Sequence, residues 1–354
     1  MVDAVADVEA EKQYESSEAG SRDTLLELTL ALLGKLEIPS EFLQRTFWAE
    51  PCKSGIIRTC VGQKIFQHLS NATDGLKTEE LAAKTGEPWD LRMLQRLMSH
   101  LAVMHVIVLS QDRCPKTDID GPFQYAWKTD LPFFPWLQAH PPNLTNFAQF
   151  ISAYRAGKPS WFDPGFYPVT ERIINGFDAN YSDVLLCDVG GGRGHDMLGF
   201  ASQYPSLPDK IVLQDQPTVV ASIEVTDPPF EARAHDFFTP QPVKSRAYSL
   251  HSIPHDWSDD EGVRILESLK PALKPGYSRV LLFEIVVSGD EPSFASTTMD
   301  MQMLAHVTAG EGTEKDWKHL IGRAGFEVLE IFTYPGVAES VIKLVLTSQS
   351  GGNL

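Results

Sequence analysis

Apolar residues recur every three to four positions through the first third of the chain, from Thr24 to about Leu109. This spacing places them on one side of a helix, so it predicts a series of amphipathic helices. From Val184 onward the pattern changes to short apolar runs separated by helical or turn segments. That alternation predicts a parallel sheet with right-handed crossover connections. The expected strands are Val184–Cys187, Lys210–Gln214, Ala247–His251 and Arg279–Val287, followed by a closing β-hairpin of Gly325–Tyr334 and Ser340–Thr347.

These patterns divide the chain into four segments. Residues 1–22 are polar and acidic, with no apolar stripe long enough to pack, and are predicted to be a disordered tail. Residues 23–130 are predicted to form a helical domain. Residues 131–180 are a linker with helices rich in Pro, Phe and Trp, and residues 181–349 form the α/β domain.

The last two predicted helices of the helical domain have the proportions of a winged helix. LKTEELAAKTG and WDLRMLQRLMSHL are joined by a short turn, and the strand-like Val106–Leu109 follows. Such a domain either reads DNA or packs against another protein surface. Arg92 and Arg96 suit the first alternative, but the many acidic residues around them favour the second. We therefore predict a helical dimerisation module.

The charge of the chain supports the same choice. The chain has 30 Lys and Arg residues and 47 Asp and Glu residues, which gives a net charge of -17. A nucleic-acid-binding protein needs a basic surface instead. The four cysteines lack metal-type spacing, so reduced thiols and no metal site are expected. The sequence has no run of 18 apolar residues and no signal-peptide pattern. We predict a cytoplasmic protein with neither membrane nor nucleic-acid partners.

The most specific motif is LLCDVGGGRG at residues 185–194. It predicts a buried strand that ends at Asp188, followed by a loop with almost no side-chain bulk, made by Gly190, Gly191, Gly192 and Gly194. Ligands of open α/β sheets bind beyond such strand ends, and glycines let backbone N–H groups approach a ligand closely. A dinucleotide fingerprint would need glycine at 195, where His195 stands. The motif therefore favours an S-adenosylmethionine site over a dehydrogenase site.

Two further strand ends carry residues suited to an adenosine group. Asp215 ends the second predicted strand, 25 residues after Gly190, and a carboxylate there can accept both ribose hydroxyls. In AHDFF, Asp236 is a candidate partner for the adenine amino group, and Phe237 for its ring face. This order of motifs favours an adenosine-type cofactor far more than any single motif does.

A candidate general base follows the strand Ala247–His251. Ser258 and Glu261 fit a helix-capping box, so the acidic residues around them have a structural explanation. His255 and Asp256 come just before this cap, beside the predicted cofactor site. A lone histidine is usually structural, but this location favours a general base.

Aromatic and methionine side chains suggest an apolar substrate pocket. Candidates for its lining are Asn146, Phe150, Tyr154, Trp161, Met299 and Met303. For most of the aromatic residues and for the methionines, packing in an interdomain core is the alternative explanation.

Six motifs together carry a family resemblance: DVGGGRG, LQDQP, HDFF, HDWSDDE, LLFEIVV and GEGTEKDW. In this order, and over roughly residues 25–347, the chain resembles the plant and fungal S-adenosylmethionine-dependent O-methyltransferases of the caffeic-acid type, most of all fungal members of secondary metabolism. The resemblance implies a class I methyltransferase fold. This is a Rossmann-like, mostly parallel sheet with a terminal β-hairpin, preceded by an all-α winged-helix domain through which two copies form a homodimer.

The resemblance also implies roles for single residues. His255 would be the general base, Glu311 would orient it, and Asp256 would help to place the substrate hydroxyl. Trp257 would contact the adenosine, and His251 stands where the family usually has a cofactor-binding Lys or Arg. Two roles known in plant members have no equivalent here: a second orienting acid and a substrate-binding asparagine. Lys343 and Ala338 occupy the apparent equivalent positions. In addition, His105 replaces a glycine that the family resemblance leads us to expect.

The predicted reaction is methylation of a hydroxyl on an aromatic, polyketide- or alkaloid-like small molecule. A phenol with a pKa of about 10 is mostly protonated at neutral pH, and an imidazole with a pKa of about 6.5 can remove its proton during attack. One alternative is a methyltransferase-like pericyclase or dehydratase that uses the charge of the cofactor without methyl transfer. Another is a DNA-reading regulator with a small-molecule sensor domain.

Overall fold

The structure is a computed structural model that describes residues 21–72, 75–107, 122–153, 157–288, 292–307 and 309–347. Most of the predicted tail lies outside this range. So do Tyr154 and the end of the predicted strand Val106–Leu109, and the side chain of Phe150 is not described either. The winged helix therefore stays a prediction.

The amphipathic pattern of the N-terminal region forms helices, as predicted. They are α1 (Ser21–Leu36), α2 (Pro39–Gln44), α3 (Glu50–Gly62), α4 (Ile65–Ser70), α5 (Thr78–Thr85) and α6 (Leu91–Val103), with a π-helical turn at Arg45–Ala49. The chain leaves helical geometry between α3 and α4, where Lys64 adopts a left-handed φ of 56°. His105, in place of the expected glycine, has a φ of 58° just after α6, a conformation that glycine adopts without strain.

Three further helices are described between α6 and the sheet: α7 (Pro122–Trp127), at the end of the predicted helical domain, and α8 (Phe133–Ala139) and α9 (Pro141–Ala153) in the predicted linker. Their aromatic side chains form a cluster around Phe123, Trp136 and Leu137. A π-helical turn at Thr170–Ile174 then leads into the sheet.

The predicted parallel sheet is confirmed, and its terminal hairpin closes one edge. Its strands are β1 (Val184–Val189), β2 (Lys210–Asp215), β3 (Glu231–Ala234), β4 (Ala247–His251), β5 (Arg279–Val287), β6 (Gly312–Thr313), β7 (Phe326–Thr333) and β8 (Glu339–Leu346). The order is β3-β2-β1-β4-β5-β8-β7, with the short β6 paired to β5. β8 runs antiparallel to both β5 and β7, and the other pairs are parallel. The sequence patterns did not predict β3 and β6, which are four and two residues long.

Helices cover both faces of this sheet. They are α10 (His195–Gln203), α11 (Pro217–Val220), α12 (Asp259–Leu269), α13 (Phe294–Val307) and α14 (Glu314–Arg323), and 3₁₀ turns lie at Pro254–Asp256 and Lys270–Ala272. One core packs α12 and α14 against the sheet, and the other packs α10 and the residues around Trp161 against the opposite face.

The N-terminal helices pack directly on the α/β domain. Leu94 and Met98 of α6 share a buried cluster with Met301 and Leu304 of α13. Among the described residues, no helix combines the length and the apolar character needed to cross a bilayer.

Candidate active site

The carboxyl ends of four neighbouring parallel strands meet at one edge of the sheet. Because β1 pairs with both β2 and β4, this edge brings together Asp188, Asp215 and His251. It is the edge at which open α/β sheets bind their ligands.

The glycine loop after β1 has a backbone that side chains would disturb. Gly190 and Gly194 have φ values of 77° and 86°, in the left-handed region that favours glycine. A Cβ at Gly190 would lie 2.5 Å from the Cδ1 of Ile253, and one at Gly191 would lie 2.4 Å from the Oδ2 of Asp188. At Gly192 a Cβ would meet nothing within 4 Å. The loop is therefore packed against the protein on one side and open at Gly192.

Asp188 is a buried acid held in place beneath this loop. The hydroxyl of Ser249 donates a 2.8 Å hydrogen bond to its Oδ1. Burial, followed by the charges of Asp196 and Asp215, raises the pKa of Asp188 to about 8 against the opposing effect of the Ser249 bond. This raised pKa favours the neutral form of Asp188, and a bound cation would favour its ionised form.

Asp215 and Asp236 have local backbone partners. The N–H of Gly192 donates to the Oδ2 of Asp215 at 2.9 Å, and the N–H of Gln216 donates to its Oδ1 at 2.7 Å. Burial nevertheless raises the pKa of Asp215. The exposed Asp236 accepts the N–H of Phe238, which closes a turn. Contacts of either carboxylate with an adenosine group stay predictions.

His251 and Trp161 share one acid at the start of α10. The Oδ2 of Asp196 lies 2.8 Å from the Nδ1 of His251 and accepts the indole N–H of Trp161 at 3.1 Å. Trp161 is buried and stacks on Phe200. Trp161 therefore packs in the core and is hydrogen-bonded to an acid that also contacts His251, at the carboxyl ends of the strands. Its predicted contact with the substrate stays a prediction.

The chemistry of this edge fits S-adenosylmethionine, the cofactor that the resemblance implies. The molecule carries a sulfonium cation and an ammonium group, and the edge presents three acidic side chains, of Asp188, Asp196 and Asp215, whose ionised forms such cations favour. The open face at Gly192 leaves space beside them. These acids and the glycine loop are the groups that would hold the cofactor.

The turn that carries His255 is strained and sits directly over the glycine loop. Ser252, just after β4, has a φ of 54°, a conformation that costs about 1–3 kcal/mol for a residue other than glycine. The side chain of Ile253 lies over Gly190. The predicted capping box is confirmed, since the hydroxyl of Ser258 accepts the N–H of Glu261 at the start of α12. The cap therefore fixes the far end of the turn.

His255 is buried and hydrogen-bonded to a second buried residue. Its Nδ1 lies 2.8 Å from the Oε1 of Glu311. Glu311 directly precedes β6, and the pairing of β6 with β5 brings it to this position from a distant part of the sequence. The Nε2 of His255 lies 3.4 Å from the Oδ1 of Asp256. The three residues predicted to be catalytic are thus together.

Glu284 is a fourth member of this group that the sequence reasoning missed. It is fully buried on β5, and its Oε2 lies 3.7 Å from the Nδ1 of His255. Its Oε1 accepts the N–H of Ile253 at 3.0 Å, and its Oε2 has no hydrogen-bond partner among the described residues. The acid within the otherwise apolar strand LLFEIVV was the available signal, because a buried carboxylate needs an explanation.

These charges alter one another's proton affinity. Burial alone lowers the pKa of His255, but the negative charges of Glu311, Glu284 and Asp256 outweigh it and hold that pKa well above 6.5. Burial raises the pKa of Asp256 to about 6 and that of Glu284 to about 8, in both cases against the charge of His255. Such coupled groups titrate together rather than singly.

Trp257 connects this turn to the aromatic segment. Its ring packs edge-on against Phe238 at 4.9 Å and Phe237 at 5.9 Å, between centroids, and it stacks on Phe134 of α8 at 6.4 Å. The helices of residues 131–180 therefore reach the candidate active site. The predicted contact of Trp257 with adenosine stays a prediction.

The remaining candidates lie in different surroundings. Met299 and Met303 pack with Trp48 and Ala338 against the end of β5, and Asn146 is exposed on α9. Lys343 is buried on β8 opposite Leu281, where burial lowers its pKa. The substrate contacts predicted for Asn146, Met299 and Met303 stay predictions.

Comparisons with known proteins agree with this geometry. A family model described as an O-methyltransferase domain matches residues 169–327. The chain is also 45% identical to the O-methyltransferase mpaG' of Penicillium brevicompactum, over 95% of this chain and 96% of that protein.

Solved structures resemble the chain at lower identity. One described as a pericyclic reaction enzyme has a TM-score of 0.62 at 22% identity, covering 97% of this chain and 98% of that one. OxaC, solved in complex with SAH and oxaline, has a TM-score of 0.58 at 19% identity, covering 96% of this chain and 97% of that one. These likenesses support the fold. Because the similarity to mpaG' extends over nearly the full length of both proteins, the chain belongs to the plant and fungal family of S-adenosylmethionine-dependent O-methyltransferases.

Proposed function

We propose that the protein methylates a hydroxyl group of an aromatic, polyketide- or alkaloid-like small molecule, with His255 as the general base. The observation that carries this proposal is the 2.8 Å contact between the Nδ1 of His255 and Glu311, on a turn that packs against the glycine loop. It supports a base held in one orientation next to the cofactor edge.

The hydrogen bond to Glu311 decides which nitrogen reacts. An ionised carboxylate only accepts, so Nδ1 of a neutral His255 carries the proton and Nε2 keeps its lone pair. Nε2 is then the atom that accepts the hydroxyl proton, and Glu311 stabilises the resulting imidazolium. In this proposal Asp256, whose Oδ1 lies 3.4 Å from Nε2, accepts a hydrogen bond from a substrate group.

When bound, S-adenosylmethionine supplies an electrophilic methyl group on a positively charged sulfur. The carboxylates of Asp188, Asp196 and Asp215 would hold it, and its charge complements theirs. Placing acceptor and donor together accounts for much of the rate in such a displacement. The chain's contribution is therefore orientation, exclusion of water and removal of one proton.

An apolar, ring-containing acceptor suits the segment beside Trp257. A cavity of about 390 Å³ between α7, α8, α9 and the end of α13 is lined mostly by aromatic rings, a volume within the range of about 300–1,000 Å³ of small-molecule sites. Neither His255 nor Trp257 is among its lining residues. Its lining residues are Phe123, Ala126, Trp127, Phe133, Trp136, Asn143, Ala305 and His306. Phe134, the neighbour of Phe133, stacks on Trp257 and so joins this lining to the turn of His255.

We further propose that the protein acts as a cytoplasmic homodimer. Large apolar side chains are exposed on the N-terminal helices, with Leu30 at 67%, Leu36 at 70% and Phe47 at 62%. Burying such a surface against a second copy is favourable. Sedimentation at assay concentration is expected to give twice the monomer mass.

Incubation with methyl-labelled S-adenosylmethionine and a panel of phenolic and enolic metabolites tests the function. We expect label in the product, attached through oxygen, because the proposed base His255 would activate a hydroxyl. Turnover of a substrate without label in the product would instead support the pericyclase or dehydratase alternative.

A further inference from the structure

Arg96 makes three hydrogen bonds across the boundary between the helical and α/β domains. From α6, its Nε donates to the Oδ2 of Asp300 at 2.9 Å, and its Nη2 donates to the backbone carbonyls of Asp300 at 2.7 Å and Ala309 at 2.9 Å. The side chains of Arg96 and Asp300 are each only 15% exposed. A largely buried, multiply bonded pair of this kind holds its geometry far better than a surface ion pair.

The same carboxylate also holds the residue that orients the base. The Oδ1 of Asp300 accepts the backbone N–H of Glu311 at 2.9 Å. Glu311 in turn accepts from the Nδ1 of His255 at 2.8 Å. Three consecutive hydrogen-bonded links therefore run from α6, through α13, to the imidazole.

The backbone around Glu311 is shaped to this pair. A Cβ at Gly310 would lie 2.7 Å from the Nη2 of Arg96 and 2.8 Å from the Oδ1 of Asp300. The two side chains therefore fill the space that any larger residue would need. Ala309 and Glu311, on either side of Gly310, are both bonded to the pair.

We infer that Arg96 and Asp300 are positioning residues for the methyl transfer, acting through Glu311 on His255. Neither touches the imidazole, so their effect is on the orientation of Glu311. The inference rests on the proposed role of His255 and gives the helical domain a part in catalysis. It also assigns Arg96, which suited DNA reading in the sequence, to a contact within the chain.

Replacing Arg96 by methionine tests this assignment. The variant keeps an unbranched, shorter side chain and loses all three bonds, so Glu311 loses its fixed position. We expect kcat to fall by about 10- to 100-fold, the range for a misplacement of the order of 1 Å, with KM for S-adenosylmethionine within threefold. Arg96→Lys should restore only part of the rate, because a single ammonium cannot reproduce the planar fork of donors.

The pH profile of kcat shows whether Arg96 positions Glu311 for catalysis or only stabilises the contact between the two domains. His255 is faced by Glu311, by Glu284 of β5 and by Asp256 of its own turn. Moving Glu311 away removes one of these charges, so the rising limb of the kcat profile should shift to lower pH in Arg96→Met. In a Glu311→Gln background, Arg96→Met should add little further loss.

A matched control uses another arginine of the helical region. Arg45 makes a two-bond ion pair with Glu37, at 2.7 Å for each bond, so Arg45→Met should leave kcat and its pH profile unchanged. A wild-type kcat and profile in Arg96→Met would overturn the inference while Glu311→Gln still shows its shift. If neither variant shifts the profile, the proposed role of His255 fails as well. Should Arg96→Met not fold, Arg96→Lys and Asp300→Asn decide by the same two readouts.

Discussion

Replacing His255 by alanine is expected to lower turnover by about 10²–10⁴-fold, or about 2.7–5.4 kcal/mol of barrier. The substitution removes the atom that accepts the hydroxyl proton, and it leaves Glu311 and Glu284 without their cationic partner. Single-turnover rates with saturating S-adenosylmethionine measure the loss. The affinity for the cofactor should remain, because the glycine loop, Asp188 and Asp215 are untouched.

The exposed His319 on α14 provides a control for loss of an imidazole. His319→Ala should turn over at the wild-type rate. A His255→Ala enzyme that keeps its rate within threefold would show that another group removes the proton.

Replacing Gly190 by valine is expected to weaken S-adenosylmethionine binding by about 5- to 150-fold. The residue has a φ of 77°, and its new Cβ would lie 2.5 Å from the Cδ1 of Ile253. A β-branched residue in this region costs about 1–3 kcal/mol. We expect the loop of the variant to leave this conformation when empty, so that cofactor binding must restore it at the cost of that free energy. Calorimetric titration of the cofactor measures the change.

Gly322 is a matched control, because a Cβ there meets nothing within 4 Å and its φ is not in the left-handed region. Gly322→Ala should bind the cofactor as the wild type does. Unchanged affinity in Gly190→Val would mean that the cofactor does not depend on this loop.

Much of the fold could be predicted because its signals are local. The strands β4 and β5 begin and end where the apolar runs do, and the hairpin of β7 and β8 lies within one residue of its expected bounds at each end. By contrast, β6 has two residues and exists only because β5 offers it a partner. The end of α3 and the start of α4 on either side of Lys64 likewise depend on backbone geometry that the apolar spacing does not encode.

The site divides in the same way. His255 and the glycine loop each follow a predicted strand directly in the sequence, so short motifs were enough to identify them as site residues. Glu284 lies in a strand whose apolar pattern predicts only core packing. Its position 3.7 Å from the Nδ1 of His255 depends on the tertiary structure. Arg96 and Asp300 are 204 residues apart, so their contact is a product of packing between domains.

The pH dependence of single-turnover methyl transfer, in the wild type and in Glu311→Gln, tests the central claim most directly. A base must be neutral to accept a proton, and nearby carboxylates hold the pKa of His255 well above 6.5. The wild-type rate should therefore rise with pH and reach half its maximum above pH 6.5. Removing the Glu311 charge should move this midpoint to lower pH and reduce the maximum, since Nδ1 loses its carboxylate. Identical midpoints in the two enzymes would contradict the account.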